Sequence, residues 1–107
     1  MERKRLGDAR RFAPEKMVKS SLFATPRLFY DLYCLLPGQA QKVHAHATSD
    51  KVYLVVSGRA RVTLGDEEAD LGPEEAVLCA AGVPHGVANA SEEPVTLLVV
   101  TTPPPSK

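Results

Sequence analysis

The chain has 107 residues, of which 44% are hydrophobic and 24% are charged, and its formal net charge at pH 7 is zero. This length supports one domain with a single core. The sequence shows neither an apolar run long enough to span a membrane nor an apolar secretory leader. We therefore predict a cytoplasmic protein that does not bind membranes, with Cys34 and Cys79 as buried, reduced thiols.

The N-terminal segment carries an excess of positive charge. Residues 1–20 contain seven basic and three acidic side chains, which leaves a net charge of −4 for the rest of the chain. We predict that they form a polar lead-in, with Phe12 and Met17 as anchors onto the core. No aromatic platform accompanies the basic residues and no helix-turn-helix pattern follows them, so nucleic acid is not an expected partner.

Short segments with strand character follow this lead-in. Residues 22–24 are a candidate strand, and residues 27–36 alternate between two sets of side chains, as the two faces of a strand do. The Pro37–Gly38 pair predicts a turn. Residues 41–46 and 51–56 are the next two predicted strands.

The second half of the chain has the same character. Strands are predicted over residues 59–64, 68–71, 76–79 and 95–101 and from residue 87 onward, with a hairpin turn at Gly65 and Asp66. Residues 103–107 are rich in proline, cannot join a β ladder and are predicted to be a tail. Because no segment has helical periodicity, we predict an all-β domain over residues 21–102, either a sandwich or a barrel.

The three histidines of the sequence indicate a metal site. His44 and His46 stand at positions i and i+2 of a predicted strand, which directs both imidazoles to one face. His85 lies in a second turn-rich stretch. Neutral imidazoles suit divalent iron, manganese, nickel, copper or zinc, and the ligand type alone does not choose among these metals.

Two stretches of the chain resemble the motifs of the cupin family. Gly38, His44, His46 and Gly58 match the first motif. That motif is a glycine, five residues, His-x-His, three or four residues, an acidic residue, six residues and a glycine. Gly82, His85 and Asn89 match the second motif, with Ala80 at the position where proline is usual. The resemblance implies a double-stranded β-helix, or jelly roll, that forms a cupin barrel with the three histidines as metal ligands.

Lys51 stands where the family motif has its acidic ligand, and Asp50 is its neighbour. A lysine ammonium about 4 Å from a unit positive charge costs about 4 kcal/mol at an effective dielectric constant of about 20. Three arrangements avoid this cost. Lys51 turns toward solvent and leaves a three-histidine site with open positions, or Asp50 becomes the fourth ligand, or the site holds no metal and Lys51 binds an anionic ligand.

Other residues are expected around this site or in the core. Tyr53 and Val55 share the strand face of Lys51, and we predict that Tyr53 lines the pocket. Tyr30, Tyr33 and Cys79 either reach the pocket or belong to the core, and the core is the preferred interpretation. Asn89 is interpreted as a residue that satisfies a backbone turn.

The strands at 52–56 and 95–100 are apolar on both faces, so each needs a cover outside the barrel. Either the N-terminal segment or a second copy of the chain supplies that cover. Small cupins pair through such a face, and the resemblance therefore implies a homodimer.

Two functions fit these features. The first is a metal-dependent enzyme, such as an oxygenase or an isomerase that acts on a small molecule. The second is a non-catalytic cupin module that binds or senses a small ligand, without metal if Lys51 occupies the pocket. The sequence contains no nucleophile paired with a base and no phosphate-binding glycine loop, and it identifies no substrate.

Overall fold

A computed structural model describes residues 1–105, and nearly all of its regular structure is β-strand. The described residues contain one short helix and nine strands: α1 (Leu6–Ala9), β1 (Val18–Thr25), β2 (Leu28–Leu35), β3 (Ala40–His44), β4 (Asp50–Ser57), β5 (Ala60–Leu64), β6 (Glu67–Leu71), β7 (Ala76–Cys79), β8 (His85–Ala88) and β9 (Val95–Thr102). The four-residue helix was not expected from the sequence. None of the helical structure in the described residues is long and apolar enough to cross a membrane.

The strands form two antiparallel sheets. One sheet has five strands in the order β1-β2-β9-β4-β7, and the other has four in the order β3-β8-β5-β6. Side chains from both sheets pack together in one buried cluster, which makes the inner faces of the two sheets the core of the domain. The predicted double-stranded β-helix is therefore confirmed.

Alternation along β4 decides which side chains reach this core. Lys51, Tyr53 and Val55 point inward and are almost fully buried, whereas Val52 and Leu54 point outward and are half-buried. Fully burying an aliphatic or aromatic side chain of this size contributes about 1.5–3 kcal/mol. Lys51 breaks the apolar pattern of this face, because it is a cation at an inward position.

The N-terminal segment covers part of the outer face of the five-stranded sheet. Leu6, Ala9 and Phe12 pack against a second buried cluster that contains Leu22 and Leu32. A hydrogen bond fixes this cover, since the Ser20 hydroxyl donates to the carbonyl oxygen of Ala9 at 2.8 Å. The N-terminal segment therefore covers the β1–β2 side of the sheet.

Both ends of the predicted domain differ from expectation. β1 begins at Val18, so the last residues of the predicted lead-in belong to the sheet, and Met17 packs against the inner core as expected. At the other end, the Ser49 hydroxyl donates to the carbonyl oxygen of Pro103 at 2.6 Å, and Pro105 borders a cavity that His44 and His46 also line. The first residues of the predicted tail thus lie against the domain, and residues 106 and 107 lie outside the described part of the chain.

Candidate metal centre

The three histidines converge at one end of the four-stranded sheet. His44 is the last residue of β3 and stands opposite His85, the first residue of β8. The ring centroid of His44 is 4.4 Å from that of His85 and 4.7 Å from that of His46. One ring nitrogen from each histidine lies within 4.8 Å of the others, which is a spacing that a single metal ion can bridge.

His46 reaches this position by a different route from the one expected. β3 ends at His44, so the predicted strand over residues 41–46 is two residues too long and His46 belongs to the loop that follows. The backbone amide of Gly82 donates to the carbonyl oxygen of His46 at 2.8 Å. This bond ties the loop after β3 to the turn before β8, and so holds His46 near His85.

Backbone carbonyls orient two of the imidazoles. His44 Nδ1 lies 2.8 Å from the carbonyl oxygen of Lys42, and His85 Nδ1 lies 3.0 Å from that of Val83. A carbonyl oxygen only accepts, so each Nδ1 carries the proton and each Nε2 presents a lone pair. Metal-binding histidines are held in this way by a hydrogen bond from the second ring nitrogen.

The donor set fits a divalent transition metal. His85 is 1% exposed, and its Nε2 has no hydrogen-bond partner among the described residues. Leaving such an acceptor buried without a partner costs about 1–3 kcal/mol, and a metal ion is the partner that suits a neutral imidazole nitrogen. Burial is the main cause that lowers the pKa of both His85 and His46, so both rings remain neutral at neutral pH.

Lys51 lies inside the site. Its side chain is 3% exposed, and its Nζ is 3.5 Å from His44 Nε2, which is the long limit of a hydrogen bond. The same Nζ lies 6.0 Å from the ring centroid of Tyr33 and 5.8 Å from that of Tyr53. The alternative in which Lys51 turns toward solvent is therefore wrong, because β4 alternation directs the residue inward. Burial, reinforced by repulsion from Lys19, lowers the pKa of Lys51 to about 8.

Asp50 does not join the three histidines. It is exposed, and its carboxylate accepts a hydrogen bond from the backbone amide of Ala81 at 2.9 Å. Neighbouring residues of a strand point to opposite faces, so the inward direction of Lys51 places Asp50 outward. The proposal of Asp50 as a fourth metal ligand is corrected accordingly.

A cavity of about 450 Å³, open to solvent, lies over the histidines. Its volume is within the range of small-molecule sites. Among the residues that the structure describes, three lysines line it, Lys19, Lys42 and Lys51, against one carboxylate, Asp31. Burial raises the pKa of Asp31, and the two nearby ammonium groups of Lys19 and Lys51 oppose that rise.

A chain of polar groups supports the cavity wall. The Tyr53 hydroxyl donates to Gln41 Oε1 at 2.8 Å, and Gln41 Nε2 donates to the Tyr33 hydroxyl at 3.1 Å. Burial raises the pKa of Tyr33 to about 12 and that of Tyr53 further, so both hydroxyls keep their protons. Because the Tyr33 oxygen accepts from Gln41, its own hydrogen is available to a ligand.

The other residues that were predicted near the site lie in the cavity wall, in the buried core or in a turn. Tyr33 belongs to the buried core, as interpreted, and also borders the cavity. Tyr53 was predicted to line the pocket, but it is fully buried in the core and is not among the described residues that line the cavity. Its ring centroid is 6.2 Å from that of His85. Tyr30 stacks on Phe23 in the outer cluster, and Cys79 is buried in the inner one. Asn89 bonds the backbone of Leu35, Glu93 and Ser91, as expected of a residue that satisfies a turn.

Sequence reasoning missed four polar residues of β1, β2 and β3 that line the cavity: Lys19, Asp31, Gln41 and Lys42. A signal for one of them was present, since Asp31 shares a strand face with Tyr33. Gln41 and Lys42 reach the site because β3 pairs with β8, which is distant in the sequence. Lys19 reaches it because β1 pairs with β2, and β9 lies between β2 and β4.

Comparisons with known proteins agree with the observed fold. The family model for the cupin domain matches residues 31–101. A protein of Streptomyces coelicolor described as uncharacterised is 41% identical over 75 residues, which cover 70% of each chain. The protein TT1209 from Thermus thermophilus, whose crystal structure is known, has 54% sequence identity to this chain. The two structures have a TM-score of 0.95, and the match covers 98% of this chain and 100% of that one. A Klebsiella pneumoniae protein with a double-stranded β-helix domain, 21% identical, has a TM-score of 0.89 over 96% of this chain and 90% of that one.

Proposed function

Since the chain belongs to the cupin family, we propose that His44, His46 and His85 bind one divalent transition metal ion, and that a small molecule is bound and transformed there. The observation that carries this proposal is the buried Nε2 of His85, which has no hydrogen-bond partner within residues 1–105 and belongs to the cluster of three histidines. Iron, manganese, nickel, copper and zinc all suit three imidazoles.

The proposed metal chemistry is that of an oxygenase or an isomerase. His44, His46 and His85 would hold the metal with coordination positions left open, and the metal would supply Lewis-acid chemistry there. The residues of the chain have separate roles. The carbonyls of Lys42 and Val83 hold the imidazole tautomers, and the Tyr33 hydroxyl and the Lys51 ammonium supply hydrogen-bond donors to a ligand in the cavity.

A second candidate function has an observation in its favour. The Lys51 ammonium already places a positive charge 3.5 Å from His44 Nε2. In a metal-free protein this cation, with Lys19 and Lys42, would form a binding site for an anion. The protein would then be a module that binds or senses a small ligand without changing it.

Elemental analysis of the purified protein separates the two functions. The protein is stripped with a chelator, reloaded with each of the five metals in turn, and its metal content is measured. Near one metal per chain supports the metal-dependent function. No retention of any of the five metals would contradict it and favour the binding module.

Substitution of the ligands tests which residues hold the metal. We expect His44→Ala with His46→Ala to lower metal affinity by more than about 100-fold, because loss of outer partners alone costs about 10–100-fold. The fold should survive, since the core does not depend on these side chains. Asp50→Asn is the matched control and should retain the metal, because Asp50 points away from the cluster. Metal retained by the double variant would show that the histidines are not the ligands.

A further inference from the structure

The charges of the proposed centre do not balance without a ligand. Three neutral imidazoles contribute no negative charge to a divalent ion, and the family's acidic ligand is replaced by Lys51. Lys19 and Lys42 add two further cations to the same cavity, and Asp31 is the one carboxylate among its described lining residues. A metal ion in this cavity is thus surrounded by an excess of positive charge.

A bound metal ion would also deprive Lys51 of its hydrogen-bond partner. Among the described residues, the hydrogen-bond partner of its buried Nζ is His44 Nε2. That nitrogen has one lone pair, and a metal ion bound to it would take this lone pair from Lys51. The ammonium would then lie next to a cation with its hydrogens unpaired, which is costly for a buried charge.

An anionic oxygen would offset the excess of positive charge and would also accept a hydrogen bond from the Lys51 ammonium. We infer that the ligand of this site is a small organic carboxylate, whose oxygens bind the metal and accept a hydrogen bond from Lys51 Nζ. This inference rests on the proposed metal-binding function. A carboxylate is planar, has two acceptor oxygens and forms short, strong bonds with ammonium donors.

The rest of the cavity favours an organic acid over an inorganic anion. Its volume of about 450 Å³ is larger than a carboxylate group requires, and Phe29, Pro105 and the ring of Tyr33 give it an apolar side. We expect the carboxylate at Lys51 and the organic part of the ligand against these side chains. Lys19 and Lys42 are exposed residues of the same cavity wall, where they attract the anion.

Metal and carboxylate should therefore bind cooperatively. Each one relieves an electrostatic penalty that the other meets, so each raises the affinity of the other by the same factor. A neutral ligand of the same shape leaves the ammonium unpaired and should show no such coupling. This difference distinguishes a carboxylate site from a site that selects by shape.

Propionate and propionamide provide the matched pair of probes, because they have nearly the same shape and differ in charge. The cobalt(II) protein is titrated with each, and binding is followed by its visible absorption and by calorimetry. We expect propionate to bind at least about tenfold more tightly than propionamide. We also expect it to raise cobalt affinity. Equal binding of the two compounds would overturn the inference, and tighter binding of inorganic phosphate would replace the organic acid by a phosphate group.

Lys51→Met tests the residue, because it keeps the apolar stem and removes the charge. It should lower propionate affinity at least about tenfold and raise cobalt affinity in the absence of propionate. Lys51→Gln is the second variant if the first unfolds, and Lys16→Met is the control on an exposed lysine outside the cavity. Unchanged propionate binding would overturn the inference. A fall in cobalt affinity would do so too, because the lysine would then be a metal ligand as the neutral amine.

Metal content, measured first on the same samples, distinguishes a failure of metal binding from a failure of carboxylate binding. A protein that takes up no cobalt contradicts the proposed function and removes this inference with it. A protein that binds one cobalt per chain but does not prefer propionate retains the proposed function and loses the carboxylate.

Discussion

Lys51 is the residue that most distinguishes this site from its family pattern, and its ionisation should be measurable in the stability of the metal-free protein. Burial lowers its pKa from an ordinary 10.5 to about 8. Below pH 8 both folded and unfolded chains hold the proton, and the folded state bears the full cost of the buried charge. Between pH 8 and 10.5 the unfolded chain binds more protons, so the free energy of unfolding rises with pH.

We therefore predict that this rise is smaller in Lys51→Met than in the original protein. The difference should approach about 1.4 kcal/mol for each unit of pKa shift. Denaturant unfolding of both metal-free proteins at pH 7 and pH 10 measures this difference. Groups that titrate in both proteins contribute equally to the two free energies of unfolding, so their effect cancels. Parallel changes in the two proteins would mean that the Lys51 pKa is ordinary.

Replacement of Lys51 by glutamate should restore the usual ligand set. The carboxylate would enter at an inward position of β4 close to His44 Nε2, where it adds a negative ligand and removes a repelling cation. We predict that Lys51→Glu raises zinc or cobalt affinity at least about tenfold, for a gain of about 1.4 kcal/mol or more. Calorimetry with Lys51→Met as the comparison separates loss of the cation from gain of the ligand. An affinity no higher than that of Lys51→Met would rule out coordination by the glutamate.

At the scale of elements, the two glycines of the first motif perform different tasks. Gly38 and Gly58 both have a positive φ, 84° and 82°. A Cβ at Gly38 would meet nothing within 4 Å, whereas one at Gly58 would clash with the Pro94 carbonyl oxygen and with Val95. The turn that ends β4 is therefore restricted by close packing as well as by backbone conformation.

This difference gives a paired prediction. Gly38→Ala should cost about 1–2 kcal/mol, the penalty for a side chain in the left-handed region. Gly58→Ala should cost about 1–3 kcal/mol more, because the β4–β5 turn must also move away from Val95. Chemical denaturation of both variants measures the two costs. Equal costs would show that the packing at Gly58 adjusts freely.

The elements themselves were largely predictable from the sequence, because alternation and Gly/Pro turns are local signals. The hairpin at Gly65 and the inward direction of Tyr53 follow from such signals, and both are confirmed. The convergence of the histidines was expected from motif spacing. Lys19 and Gln41 were missed as cavity residues, because pairing between distant strands brings β1 and β3 to the same cavity as β4.

At the scale of the whole molecule, one part of the five-stranded sheet remains open outward. Leu78 is 59% exposed and pairs in register with Val52, which pairs with Val100 on the next strand. The N-terminal segment covers the β1–β2 side of this sheet. An apolar row at the opposite edge is the surface through which a second copy would pack.

The homodimer thus remains a prediction, now with a defined surface. We expect Leu78→Glu to convert a dimer to a monomer in sedimentation velocity, with little loss of thermal stability. Val43→Glu is the control, since Val43 is 54% exposed on the other sheet. A dimer that persists in Leu78→Glu would place the interface elsewhere, and a wild-type monomer would contradict the pairing altogether.

The position of Pro105 at the edge of the cavity has a practical consequence for the handling of this protein. A purification tag fused after the last residue would begin only a short length of chain from the proposed metal centre. A polyhistidine tag at that end would bring extra imidazoles to the cavity, and it would itself compete for the added metal ions. Metal content and ligand affinity are therefore best measured on protein that carries a removable tag at its N-terminus, after that tag has been cleaved.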